Sequence, residues 1–130
     1  ELAGLKCYGM TYDEFNAFCG SLPVTSYVMQ RGGAHVWKLA GKVFAIGGWR
    51  DDFPAVTFKA GEIGYEVLKD QPGMQPAPYM ASRGLKWIQH YTLPGPSDEE
   101  MQEHIRHSYA LVVQGMSKKK RRDLGLLEGA

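Results

Sequence analysis

Hydrophobic residues near the start of the chain recur at the spacing of an α-helix. Phe15, Phe18 and Cys19 fall on one side of a helix drawn over residues 12–19. Thr11 and Glu14 have the spacing of a capping box, in which each side chain accepts a hydrogen bond from the other residue's backbone amide. The pattern predicts a short helix over residues 12–19 with its aromatic side in the core, and Gly20 is expected to end it.

The next block of the chain changes to a period of two, which is the pattern of β-strands. His35, Trp37 and Leu39, for example, share one face of such a strand. The segments between the strands are too short for the crossovers that parallel pairing needs, so the pairing is expected to be antiparallel. The block predicts four consecutive strands, over residues 24–30, 35–39, 43–49 and 55–59.

The middle of the chain has weaker patterns. Residues 62–69 can form a short helix with Ile63, Val67 and Leu68 directed inward. The proline-rich stretch that follows is expected to be loop or extended chain. The segments predicted here are loop or extended chain over residues 71–78, a helical turn over residues 79–83 and a fifth strand over residues 85–93.

The clearest helix follows the breaker segment 94–96. Ser97 and Glu100 form a second capping-box pair. Apolar residues then recur at helical spacing, namely Met101, Ile105, Tyr109, Val112 and Met116. Together the elements predict an α+β fold, with a single antiparallel sheet of about five strands and the first and last helices packed on one face.

Length and composition fit one folded domain. Of the 130 residues, 44 % are hydrophobic and 12 % are aromatic, which excludes intrinsic disorder. No apolar run approaches the roughly 20 residues of a membrane span, so we expect no membrane partner. Cys7 and Cys19 match no zinc or disulfide spacing and are expected to be free thiols in a reducing cytoplasm.

Sequence signatures of catalysis are absent. The chain contains no phosphate-binding glycine loop, no nucleophile elbow and no metalloprotease helix motif, so we expect no enzyme activity and no cofactor. His104 and His107 are one helical turn apart, a spacing that a metal can use. No further ligand completes a metal site, however, so no metal is expected and both histidines are expected to be solvated.

The strongest charge feature is a run of five basic residues near the C-terminus. Such a run can neutralise phosphates, or it can be a solvated helix end. The net charge of the chain is only +1, so a polyanion would have to meet a local patch. Basic residues near strand aromatics could extend that patch. The candidates are Lys118, Lys119, Lys120, Arg121 and Arg122 in the run, and Lys38, Lys42, Lys59, Arg83 and Lys86 elsewhere.

Arg83 has two interpretations. Together with Ser82 and Gly84 it can form a small anion-binding nest of backbone amides. The alternative is a structural loop held in place by a packed Tyr79.

Six short strings of the sequence carry a family resemblance. They lie at residues 11–19, 36–45, 56–59, 76–80, 85–88 and 108–112. With these strings, the chain resembles the MmcQ/YjbR-like family of small bacterial proteins over about residues 11–125. The resemblance implies one domain, residues 1–130, with a fold similar to frataxin-like and secretion-chaperone-like domains. It also implies DNA binding, by the family's likeness to a double-wing DNA-binding fold.

The functional expectation combines the basic residues with this resemblance. We expect a non-catalytic module that contacts the phosphates of double-stranded DNA through the C-terminal basic run and the sheet lysines. The alternative is a protein- or small-ligand-binding domain that uses an exposed sheet face or the proline-rich loop. Metal handling, by analogy with frataxin, is a third hypothesis. A monomer is favoured.

Overall fold

Every pair of neighbouring strands in the sheet is antiparallel, as the short connections predict. The computed structural model describes residues 10–30, 32–78, 80 and 83–126. Its strands are β1 (Thr25–Gln30), β2 (Ala34–Leu39), β3 (Lys42–Gly47), β4 (Val56–Lys59), β5 (Met74–Pro76) and β6 (Trp87–His90). Its helices are α1 (Tyr12–Ser21), α2 (Gly61–Leu68), α3 (Asp98–Gln114) and α4 (Lys118–Asp123). The strands form one antiparallel sheet in the order β1-β2-β3-β4-β6-β5.

The two long helices pack on the same face of the sheet, as predicted. Both begin with the capping boxes that the sequence indicates, at Thr11 and at Ser97. Apolar side chains from α1 and α3 meet the strands in one main core. Its largest fully buried members are Phe15, Leu39, Phe44, Phe58, Ile88, Met101 and Ile105. The prediction of an α+β fold with helices on one face is confirmed.

The expectation that Gly20 ends the first helix is wrong. α1 continues through this residue to Ser21. A Cβ atom at position 20 would lie only 3.1 Å from the indole ring of Trp37. Close packing of helix on sheet is therefore the reason for glycine here.

Helix α2 forms where it is predicted but turns a different side to the core. Ile63 is 82 % exposed and Val67 is 55 % exposed, so the inward positions predicted for these two side chains are wrong. Tyr65 and Leu68 pack against the core instead. The helix starts immediately after β4, and the direction in which the chain leaves that strand decides which side of the helix faces the sheet.

The sheet has one strand more than the five predicted. The sequence predicts loop or extended chain over residues 71–78, and of these, residues 74–76 form β5 and pair with β6. β6 itself is shorter than the predicted strand over residues 85–93. Pro76 is tolerated because β5 is an edge strand, where a missing amide donor interrupts no further pairing.

Part of the second face of the sheet is covered as well. Ala34, Val36 and Ile46 are buried there, and Met80 packs against them. Met80 belongs to the segment that joins β5 to β6, so at this residue the segment lies over the sheet. This part of the second face is therefore not open to a ligand, and the proline-rich loop is the other location that the alternative function names.

Several sequence predictions concern residues outside the described ranges. They are the thiol of Cys7, the nest residue Ser82, the packed Tyr79 and most of the helical turn over residues 79–83. Cys19 is described, and it is a free, buried cysteine. Burial raises the pKa of this thiol, so it behaves as an inert core group.

Candidate nucleic-acid interface

One end of the sheet carries the strand lysines. Lys38 pairs with Val43 between β2 and β3, and Lys59 pairs with Trp87 between β4 and β6. Lys42 begins β3, and Lys86 directly precedes β6. All four lysines therefore lie at the end of the sheet where β4 stops and β6 starts. We call it the basic end, and define it by Lys38, Lys42, Lys59 and Lys86.

At this end the lysines are divided between the two faces. Lys38 and Lys59 are half-buried and lie on the second face, as strand alternation requires. Lys42 lies toward the helices, because its cross-strand partner is a core residue. Lys86 also lies toward the helices, with its Nζ atom 4.7 Å from the centre of the Tyr65 ring. The lysines thus surround the end of the sheet and do not line a single concave surface.

A buried serine directs α3 toward the basic end. Ser108 Oγ donates a hydrogen bond to the Phe44 carbonyl oxygen at 2.6 Å and accepts one from the Lys59 amide at 2.9 Å. On the next residue, the Tyr109 hydroxyl donates to the Pro23 carbonyl oxygen at 2.6 Å, just before β1. The last turns of α3 therefore lie at the basic end, and α4 follows after residues 115–117.

The C-terminal basic run forms α4. Ser117 caps this helix, because its hydroxyl accepts a hydrogen bond from the Lys120 amide at 3.0 Å. Lys119 Nζ lies 3.5 Å from an Asp123 carboxylate oxygen. Arg121 is half-buried, and within the described ranges its Nε atom has no hydrogen-bond partner. The exposed members of the run are Lys118, Lys119, Lys120 and Arg122.

Arg83 lies apart from α4, in the segment that connects β5 to β6. Its amide donates to the Met80 carbonyl oxygen at 3.0 Å, and Met80 packs on the second face of the sheet. The Arg83 side chain is exposed. It is therefore on the same side of the sheet as Lys38 and Lys59.

The opposite end of the sheet is acidic. α1 begins there, with the Tyr12 ring against His35, and α3 begins there, with Gly95 against the His90 ring. The first turns of both helices are rich in carboxylates, which helix N-termini favour. We call this the acidic end, and define it by Asp13, Glu14, Asp51, Asp52, Asp98, Glu99 and Glu100.

Although the net charge is small, positive charge lies at the basic end and negative charge at the acidic end, so the two are separated along the strand direction. In the described part of the chain, Glu62 and Asp123 offset some of the positive charge at the basic end, and Arg50 offsets some of the negative charge at the acidic end. An excess of positive charge remains at the basic end, and an excess of negative charge remains at the acidic end. Such a distribution can orient the molecule toward a charged partner even when the total charge is close to zero.

A cleft of about 390 Å³ opens between α2 and the start of α3. Most of its wall is apolar, and its polar side chains are Gln71, Glu100 and His104. The other lining residues are Leu68, Pro72, Met74, Pro94, Gly95 and Pro96. This is the part of the proline-rich segment that a small ligand could reach.

His104 is not the solvated residue that the sequence predicts. Its ring stacks on Phe58 with 5.2 Å between ring centres, and the side chain is half-buried. Burial lowers the pKa of His104, and it likewise lowers the pKa of the nearby His90. Both imidazoles are therefore mainly neutral at neutral pH. A helical wheel cannot reveal this contact, because Phe58 comes from a strand.

The sequence pattern also did not predict a group of buried polar side chains on the second face. Gln75 Nε2 donates to Gln89 Oε1 at 2.8 Å, and Thr57 is the cross-strand neighbour of Gln89. Thr57 Oγ1 and Gln89 Nε2 are buried and have no hydrogen-bond partner in the described structure. Alternation along β6 indicates which face Gln89 occupies, but only the pairing with β4 and β5 brings the three side chains together.

Two further features, a metal-binding cluster and a membrane-spanning helix, are absent from the described ranges. No three His, Cys, Asp or Glu side chains there are grouped as a metal ion requires. No helix there combines the length and the apolar character of a membrane span.

Comparison with known proteins identifies the family. No curated protein sequence has a significant match to the chain. The crystal structure of protein DR2400 of Deinococcus radiodurans, which has a DUF419 domain, is similar, with a TM-score of 0.77 and 25 % sequence identity. That similarity covers 96 % of this chain and 97 % of that one. The family model described as YjbR matches residues 20–111, which is well over half of the sequence. The chain therefore belongs to the YjbR family.

Proposed function

We propose that this protein is a non-catalytic module that binds double-stranded DNA through its phosphates. The proposed contacts come from α4 and from the lysines of the basic end, with Arg83 as a further contact on the second face. The observation that supports the proposal most is the separation of charge, since lysines from three strands and one connection lie at one end of the sheet, the end toward which α3 leads into the C-terminal run.

Phosphate contact suits the geometry of these side chains. The exposed lysines of α4 are flexible, hydrated point charges, which bind phosphate oxygens without reading base sequence. Most of the large aromatic side chains near them are buried or half-buried, which leaves little surface for stacking on unpaired bases. Duplex DNA with little sequence preference is therefore the expected ligand.

The experiment is a fluorescence-anisotropy titration of a labelled DNA duplex at several salt concentrations. We expect binding that weakens steeply with salt between about 50 mM and about 200 mM, because each neutralised phosphate releases counterions. The double variant Lys118→Glu with Arg122→Glu should weaken binding at least about tenfold and flatten the salt dependence. Lys42→Glu should weaken it as well, because that lysine lies at the same end of the sheet.

Arg50→Glu is the matched control. It makes the same change of charge as Lys42→Glu, at a half-buried position of the acidic end, where Arg50 pairs with Asp52 at 3.0 Å. Its affinity for the duplex should stay close to that of the unmodified chain. An equal loss with Arg50→Glu and with the α4 variant, or no binding at about 50 mM salt, would overturn the proposal.

The cleft between α2 and α3 supports a second candidate, the binding of a small ligand. An apolar wall with one carboxylate and one neutral imidazole suits a small organic amine. A panel of such amines should then raise the melting temperature, and Leu68→Trp should abolish the rise by filling the cleft. If the rise survives Leu68→Trp, the ligand does not occupy this cleft.

A further inference from the structure

Strand β1 is an exposed edge of the sheet. Within the described residues it pairs only with β2. Tyr27 is 43 % exposed, Val28 is 38 % exposed and Met29 is 51 % exposed. The outer backbone amides and carbonyls of an edge strand are free to pair with another strand.

This edge lacks the usual features that prevent pairing. Edge strands are normally protected by a lysine, a proline or a bulge. β1 contains no charged residue and no proline over Thr25–Gln30. All six of its residues pair with β2 in one register, without the irregularity that β2 and β3 show. The strand is therefore regular, neutral and partly apolar.

We propose that two copies of this chain associate through antiparallel pairing of their β1 strands, which joins the two sheets into one. This proposal departs from the monomer expected from the sequence, and it does not depend on DNA binding. In a symmetric antiparallel pair of two β1 strands, one residue must lie opposite the same residue of the second copy. The reason is that the backbone groups that point outward alternate along a strand.

Centring the pair on Val28 gives the most complementary contact. Val28 then lies opposite Val28 of the second copy, and Tyr27 lies opposite Met29 on the other face. Every exposed apolar side chain of β1 meets an apolar partner in this register. Aromatic and β-branched cross-strand pairs of this kind stabilise sheets.

Charge complementarity also favours a second copy as the occupant. β1 starts at the basic end, where Thr25 pairs with Leu39, and stops at the acidic end, where Gln30 pairs with Ala34. Antiparallel pairing therefore places the basic end of each copy beside the acidic end of the other. A parallel arrangement would place like charges side by side.

Sedimentation velocity from about 1 µM to about 200 µM protein tests the proposal, because dimer formation depends on concentration. We expect the sedimentation coefficient to rise to that of a dimer. Val28→Lys and Met29→Glu should each raise the dissociation constant at least tenfold. Ile63→Lys, at an 82 % exposed position on α2, should leave it unchanged. Circular dichroism will show whether each variant keeps the fold.

Cysteine cross-linking tests the register. In a Cys7→Ser background, Val28→Cys should form an inter-chain disulfide under mild oxidation, because the two residues face each other. Ser26→Cys is the control, since its copies would be four residues out of register, or about 13 Å apart. Sedimentation as a monomer at every concentration would overturn the proposal. Equal cross-linking at positions 26 and 28 would also overturn it, whatever the outcome of the DNA titration.

Discussion

Ser108→Ala is the substitution whose effect follows most directly from the structure. The Ser108 side chain is fully buried between α3 and the sheet. Its hydroxyl donates a hydrogen bond to the carbonyl of Phe44 and accepts one from the amide of Lys59 at the end of β4. Phe44 has no cross-strand partner in β2, because the register shifts at this point. Alanine would leave both backbone groups without this partner.

The expected cost can be worked out from these two hydrogen bonds. A lost hydrogen bond costs about 1 kcal/mol, and a buried group left unsatisfied costs about 1–3 kcal/mol. Two such groups predict a loss of about 2–4 kcal/mol in the free energy of unfolding. For a domain of this size, that loss lowers the melting temperature by about 10 °C.

Urea denaturation followed by tryptophan fluorescence measures this loss. Ser26→Ala is the matched control, because it makes the same chemical change at an exposed position of β1. The control should stay within about 0.5 kcal/mol of the unmodified chain. A loss below about 0.5 kcal/mol for Ser108→Ala would refute the reasoning, since the two backbone groups would then have found other partners.

Three further predictions concern the helix caps, one glycine and acid stability. Thr11→Ala and Ser97→Ala should each lower the free energy of unfolding by about 1 kcal/mol in urea denaturation, and an unchanged value would contradict the capping roles. Gly73→Ala should lower the melting temperature far more than Gly32→Ala. Both residues have positive φ, but only at position 73 would a Cβ collide with the Pro94 carbonyl oxygen. Equal shifts would contradict this. Burial lowers the pKa of His90 and of His104, so the unfolded chain binds protons more readily. Stability should therefore fall between about pH 7 and about pH 5, and less steeply in His104→Gln; a flat profile would contradict it.

Local patterns in the sequence predicted the two long helices and the antiparallel sheet. Capping boxes at Thr11 and Ser97 locate the starts of both long helices, because the partners of a cap lie within one turn. The alternation around Trp37 and the short connections predicted an antiparallel sheet. β5 was missed because three residues next to prolines carry too little pattern, and their strand character depends on pairing with β6.

The candidate interface could be predicted only in part. The sequence supplied every basic residue proposed, because charge runs are visible without a structure. It did not show that Lys86 contacts Tyr65, or that Lys38 and Lys59 lie on the face opposite to Lys42. It also placed His104 in solvent, because the stacking partner Phe58 is 46 positions away in the chain.

By itself, the sequence determined the helix starts, the antiparallel meander and the family, since each depends on residues close together in the chain. Only the tertiary structure decided the division into a basic and an acidic end. Strand register and helix direction bring charges from distant segments to the same end, and neither can be read from the order of residues. The same holds for the exposed edge of β1, which exists only because no other described strand pairs beside it.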